Sequence, residues 1–288
     1  MKILLITKIT INIVKRLFVL INCLLLSGVA LAQNTTLSAN EMYSKANELA
    51  KARDHTQAVE WYQKAAEEGC LDAMVALGDS YYHGCGVEKS YDIALRWWYE
   101  AAIEGSATAM CCLGREADIR RDYKNAIRWY KRAAQYDNTF AIDRVGTAYY
   151  HGLGVDKDVA ESVKWFTKSA ELGEIHSQHY LAFIYSGGEG NGKQNYAEAV
   201  KWTRQIVAMY EDMSGEKRFP YNYHNKQATS QNYVDTYGWY NSLVESAVMG
   251  ALYAMGSYYE NGCGVKKDIT KAAECYRKAA ELGFEYHR

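Results

Sequence analysis

Trp61, Trp97, Trp129, Trp165, Trp202 and Trp239 follow one another at steps of 36, 32, 36, 37 and 37 residues, and a further step of 36 reaches Cys275. Only Trp98 falls outside the series. A step of this size marks a repeat architecture, in which each unit is too small to bury its apolar face alone and must stack on its neighbours. That requirement overrides what length alone would suggest about domain count.

A second column supports the first. Seven residues before each marker stand Asp54, Ser90, Asp122, Asp158, Asn195, Asn232 and Asp268. Each is a residue whose short side-chain oxygen can accept from the unpaired N–H groups of a helix's first turn. Asp54 to Gln57, Asp158 to Glu161 and Asn195 to Glu198 also have capping-box spacing. About 14 helix-compatible residues follow each cap, and Gly69, Gly105, Gly173 and Gly283 close four of these helices. A preceding helix ends in a Gly-x-Gly-Val turn at Gly84/Gly86/Val87, Gly152/Gly154/Val155 and Gly262/Gly264/Val265. The unit is a helix hairpin.

Gly78, Gly114, Gly146 and Gly256 fall inside the first helix of their units, where Gly costs about 1 kcal/mol relative to Ala. A cost repeated at one position implies a close approach there. Ala66, Ala102, Ala134, Ala170 and Ala280 form a matching small column on the second helix, leaving the marker Trp and Tyr81, Tyr149, Tyr185 and Tyr259 to fill the remaining volume.

The run Ala73, Leu77-Gly78, Tyr81, Gly84-x-Gly86-Val87, Ala94, Trp97, Ala101-Ala102 and Gly105 resembles the Sel-one-like repeat, a longer-looped relative of the tetratricopeptide repeat. The resemblance is strongest in the units ending at 105, 173 and 283 and extends over most of 40–283. It implies an all-α, right-handed superhelical solenoid of about seven antiparallel hairpins, acting as an adaptor or scaffold for proteins or peptides. The expected units are 40–69, 70–105, 106–137, 138–173, 174–210, 211–247 and 248–283. The third lacks the Gly-x-Gly-Val turn and is four residues short, so "READIRRDYKNAIRW" must turn tightly.

The unit 211–247 is expected to be irregular, because Phe219-Pro220 stands where Leu77-Gly78 stands elsewhere, and Pro220 is the chain's only proline. Ile206-Val207 and Leu243-Val244 replace the small pair of the neighbouring second helices, as if to fill space a regular helix would occupy. Phe219, Tyr221, Tyr223 and His224, mixed with Lys217, Arg218 and Lys226, form one candidate binding region, since aromatic and cationic groups together are common at interaction hot spots. A decayed repeat packing its aromatics back on the solenoid is the alternative. Tyr82, His83, Tyr150 and His151, near the ends of first helices, form a second candidate, with core packing as its alternative.

The N-terminus carries Lys2, Lys8, Lys15 and Arg16 with no acid, then an apolar run from Leu17 to Leu26 and a small-x-small Ala30-Leu31-Ala32. Residues 1–32 read as a signal peptide cut after Ala32, the apolar run being too short to span a bilayer. The mature chain is then expected in the periplasm or outside the cell. Removing four basic residues and no acid from 33 Lys and Arg against 34 Asp and Glu leaves 29 against 34. An acidic balance argues against a nucleic-acid partner.

No cofactor or metal is expected. His176 and His179 lie one turn apart with no third ligand nearby in sequence, and are expected on a solvated helix face. The alternative function is a cell-wall amide or β-lactam hydrolase, since some disulfide-rich relatives carry that label. Ser214-x-x-Lys217 is the sole Ser-x-x-Lys, and no partner motif accompanies it. Cys85 and Cys263 share a column five units apart, so no regular disulfide ladder is expected.

Overall fold

A computed structural model describes residues 37–189, 193–213 and 231–283, with backbone alone at 210–213 and 231–245. Among these residues the chain is helical and has no strand: α1 Ala39–Lys51, α2 His55–Glu67, α3 Leu71–His83, α4 Tyr91–Ile103, α5 Ala107–Ile119, α6 Tyr123–Ala133, α7 Thr139–His151, α8 Val159–Glu171, α9 Ile175–Gly187, α10 Tyr196–Met213, α11 Gln231–Asn261 and α12 Ile269–Glu281. Consecutive helices pair into hairpins, and each hairpin stacks on the next through its second helix.

Six of the seven expected caps form. The side chains of Asp54, Ser90, Asp122, Asp158, Asn195 and Asp268 each accept from the backbone N–H three residues on, at 2.9 to 3.4 Å. Asn232 instead lies within the first turn of α11. First helices carry caps too: Ser38 forms a full capping box with Glu41, and Ser106 and Asn138 cap α5 and α7. In the short connections Arg53 and Arg121 take positive φ of 64° and 61°, the tight turn that the missing Gly-x-Gly-Val demands.

The interior glycines serve a ring. A Cβ on Gly78 would lie 2.2 Å from Trp98 Nε1; on Gly114, 2.7 Å from the Tyr130 ring; on Gly146, 2.7 Å from the Phe166 ring; on Gly256, 2.6 Å from the Tyr276 ring. Each ring belongs to the residue just after the marker. The expectation that the marker Trp fills the hairpin is corrected in these units, for Trp98 is 1% exposed whereas Trp97 is half-buried; in the fifth unit the marker Trp202 is itself buried at 4%. On a helix, successive residues point about 100° apart, so one of an adjacent aromatic pair faces the partner helix and the other its edge. Polar tips are satisfied: Trp98 Nε1 donates to the Val75 carbonyl, and the hydroxyls of Tyr62, Tyr130 and Tyr276 donate to Asn47, Asp118 and Glu260. In the fifth unit the glycine position is Ala182 and the ring position is Thr203, so a larger floor meets a smaller lid.

The Gly-x-Gly-Val turns join neighbouring units. Gly86, Gly154 and Gly264 have φ near 75°, and a Cβ there would come within 2.2, 2.3 and 2.6 Å of the carbonyl oxygens of His55, Tyr123 and Tyr196. Those are first residues of α2, α6 and α10. The second glycine of each turn thus lets the loop rest on the start of a neighbouring second helix.

The irregular unit breaks this order. Its described part, from 231 to 247, continues without interruption into the first helix of the last hairpin, giving the 31-residue α11. The hairpin α11–α12 stacks directly on α10: Ile206 is fully buried in a cluster with Ala247, Val248, Ala251 and Leu252, and Ala199 and Val200 meet Met255 and Tyr258. Ile206 therefore packs against the last unit. Leu243 and Val244 are among the residues whose side chains are not described.

Candidate functional site

Phe219, Tyr221, Tyr223 and His224 lie outside the described residues, as do Ser214 and Lys217. Tyr82 and Tyr150 belong to hairpin interiors instead of an open face. The Tyr82 ring lies 5.2 Å from Trp98 and meets Tyr91 and His83 edge-on, while Tyr150 is 9% exposed, packs on Phe166 and Tyr180, and donates its hydroxyl to Glu189 at 2.7 Å. Burial raises both hydroxyls to about 12. His83 is half-buried, and exposed His151 makes a 2.9 Å hydrogen bond with the Tyr180 hydroxyl.

His176 is buried, which corrects the solvated helix face expected for it. Its Nδ1 stands 2.9 Å from both carboxylate oxygens of Asp143, and the Ser177 hydroxyl donates to Asp143 at 2.7 Å. Burial pushes the Asp143 carboxyl up, but His176, Arg144 and Ser177 together pull it below the usual range. Asp, His and Ser are thus adjacent without forming a nucleophilic relay, because Ser177 spends its hydrogen on the carboxylate and not on the imidazole. The network ties α7 to α9. No cluster of three or more metal-ligating side chains occurs among the described residues. Cys70, Cys111 and Cys112 are buried, and burial pushes their thiols up.

An open groove of about 730 Å³ runs between the second helices α4 and α6, floored by the C-terminal half of α5. Tyr99 and Ile103 stand on its α4 wall at 52% and 65% exposure, one helical turn apart. Tyr99 meets Trp129 of the α6 wall edge-on at 5.9 Å. On the floor Glu116 is 7% exposed; its Oε1 accepts from Arg120 Nε at 2.8 Å, and its carboxylate also takes a hydrogen bond from the Tyr82 hydroxyl. The groove coincides with the trimmed connection. Where the long turn is present, Val87 and Val155 pack on the core and the turn rests on the neighbouring second helix; the third unit has no such turn to rest on α4, whose first residue Tyr91 is 45% exposed. Sequence reading gave this trimming no functional weight, and the spacing of Tyr99 and Ile103 in "WWYEAAIEG" was its available signal.

A family model described as "Sel1 repeat" matches residues 39–70, 71–106, 107–135, 139–174, 175–208 and 250–284. The chain belongs to the Sel1 repeat family. The matched segments follow the six structural hairpins, and the step from 208 to 250 falls where α11–α12 stacks directly on α10. The solved structure of a Sel1 repeat protein from Oxalobacter formigenes superposes with a TM-score of 0.60 at 25% identity, covering 83% of this chain and 87% of that one. An uncharacterized Sel1-like repeat-containing protein of Schizosaccharomyces pombe is 23% identical over 255 residues, and the mouse DAP3-binding cell death enhancer 1 is 35% identical over 175. These alignments cover 79% and 58% of this chain but only 36% and 33% of the relatives, so the chain spans about a third of their length.

Proposed function

We propose that this Sel1 repeat chain is an exported scaffold that binds protein or peptide partners and carries out no reaction on them. The observation that supports this most is the open groove between α4 and α6, with exposed apolar residues on its wall, set in a stack of hairpins. Burial of such residues drives association between proteins. A mouse relative is named for binding another protein, which fits the same reading. Against the hydrolase alternative stands the arrangement at Asp143, His176 and Ser177, where the hydroxyl is not placed for activation. No helix among the described residues is long and apolar enough to cross a membrane.

Export rests on the charged, apolar and small-residue segments of 1–32, and cleavage after Ala32 would leave Gln33 as the first residue. Phe219, Tyr221, Tyr223 and His224 stay in this proposal as a second contact region. The test is affinity capture from a cell-envelope extract with the mature chain, beside a variant with Phe219, Tyr221 and Tyr223 changed to Ala. A discrete stoichiometric partner supports the scaffold, and its loss with the variant assigns it to 219–224. Hydrolysis of β-lactam or peptidoglycan amide substrates by the purified chain would contradict the proposal.

A further inference from the structure

A cavity of about 220 Å³ lies between the third and fourth hairpins, apart from the groove. Asp118 from the end of α5, Tyr123 and Ile127 of α6, and Arg144 and Thr147 of α7 line it. Leu153 borders it from the turn whose Gly154 rests on the Tyr123 carbonyl. The same place exists between the first and second hairpins, because a step of 68 residues carries Ala50 to Asp118, Ala76 to Arg144, Asp79 to Thr147 and Cys85 to Leu153. There the cavity measures only about 20 Å³, little more than a single water. Where the smaller cavity has two alanines, the larger has a carboxylate and a guanidinium, and it is wider rather than filled.

Both charged groups are positioned by the fold and both are partly exposed. Asp118 Oδ2 accepts from the Tyr130 hydroxyl at 2.9 Å, and Arg144 acts on the carboxyl through its charge. Burial nevertheless raises the Asp118 carboxyl, so a further donor would stabilise its charged form. Arg144 approaches Asp143 at 3.6 Å, donates to the Thr147 hydroxyl at 3.5 Å and lies 5.7 Å over the Phe140 ring. These contacts orient a guanidinium that carries five donors. A ligand with one charge would match one of the two groups and be opposed by the other, whereas a zwitterion matches both. Ile127, Ala148 and Leu153 supply apolar surface beside them. A volume of about 220 Å³ corresponds to roughly seven waters of liquid, which is room for one amino acid.

We propose that this cavity binds a free amino acid with an apolar side chain, its ammonium donating to Asp118, its carboxylate accepting from Arg144 and Thr147, and its side chain resting on Ile127 and Leu153. The site goes beyond the scaffold reading, and neither depends on the other.

The test is isothermal titration calorimetry of the purified chain with L-leucine, L-isoleucine, L-valine and L-methionine, the tightest of them then set against its amide and its N-acetyl derivative. The amide lacks the carboxylate and stands for a peptide's N-terminus; the N-acetyl derivative lacks the ammonium and stands for a C-terminus. Asp118→Asn keeps an acceptor for Tyr130 and Thr147→Val keeps the side-chain shape, so both variants should fold, which circular dichroism checks. The expected result is saturable binding of at least one amino acid, at least tenfold weaker for either derivative and for Asp118→Asn, and severalfold weaker for Thr147→Val. Saturation by none of the four would overturn the proposal. So would binding unchanged in Asp118→Asn, or a derivative that binds as well as its amino acid, which would make the occupant a peptide end. None of these outcomes bears on the partner capture that tests the scaffold.

Discussion

Gly78→Ala should destabilise the chain although it replaces the poorest non-proline helix former with the best. The propensity gain is about 1 kcal/mol. Against it stands a Cβ placed 2.2 Å from Trp98 Nε1 and 2.3 Å from its Cδ1, where Trp98 is 1% exposed and held by a hydrogen bond to the Val75 carbonyl. Overpacking of this kind costs about 1–3 kcal/mol, and here the obstacle is a rigid indole, so the upper end applies. A net loss of about 2 kcal/mol is expected. Trp98→Thr alone should cost about 3–5 kcal/mol for the emptied volume. The double variant should cost no more than Trp98→Thr, because it installs the Ala-over-small pairing already present at Ala182 and Thr203. Urea denaturation followed by circular dichroism at 222 nm gives the three differences, and the coupling between the sites should reach about 2 kcal/mol. A Gly78→Ala chain as stable as the parent, or additive single variants, would refute the ring-under-glycine account of the column.

Gly154→Ala should lose about 2 kcal/mol or more, because it combines a φ of 73° with a Cβ 2.3 Å from the Tyr123 carbonyl oxygen; thermal melts should show it, whereas Gly69→Ala meets no neighbour and pays only for its φ. Asp143→Ala should cost about 3–5 kcal/mol by leaving buried His176 and Ser177 without their acceptor, read by the same denaturation. Burial lowers His179 to about 4, so the folded chain resists a proton that the unfolded chain takes up near pH 6.5; this stabilisation is complete above pH 6.5 and is lost as pH falls toward 4, up to about 3 kcal/mol. Burial raises Asp79 to about 6, so its contribution has the opposite sign and stability is gained as pH falls from 6 toward 3.8. Melts from pH 7 to 4 should therefore tilt toward greater acid stability in His179→Phe and toward lower acid stability in Asp79→Asn, each relative to the parent; equal slopes in all three would contradict both assignments.

The hairpin unit was legible because its signals are local. A cap needs one side chain and one N–H three residues on, and a Gly-x-Gly-Val turn needs only its own backbone, so Asp158 and Gly154 declare themselves in sequence. The choice between Trp97 and Trp98 as the buried ring depends on how the second helix is rotated against the first, which spacing alone leaves open. The last stacking step gave mixed signals in sequence, since Asn232 and Trp239 keep the period while Phe219-Pro220 marks the unit 211–247 as irregular. A further signal against a regular hairpin was present: the column that stops other second helices at Gly69, Gly105, Gly173 and Gly283 reads Tyr210 and Ala247, and α10 and α11 both run on past it. The groove was missed because it is made by an absent turn, which leaves no residue pattern of its own. His176 was misplaced for a related reason: its partner Asp143 is 33 residues away.

The most direct test of the account is photo-crosslinking in the producing cell, with p-benzoylphenylalanine placed at Tyr99, at Ile103 and, as a control away from the groove, at Glu60. A discrete protein adduct is expected from positions 99 and 103 and absent at position 60. Absence of any protein adduct from the groove positions, with the chain folded and exported, would contradict it.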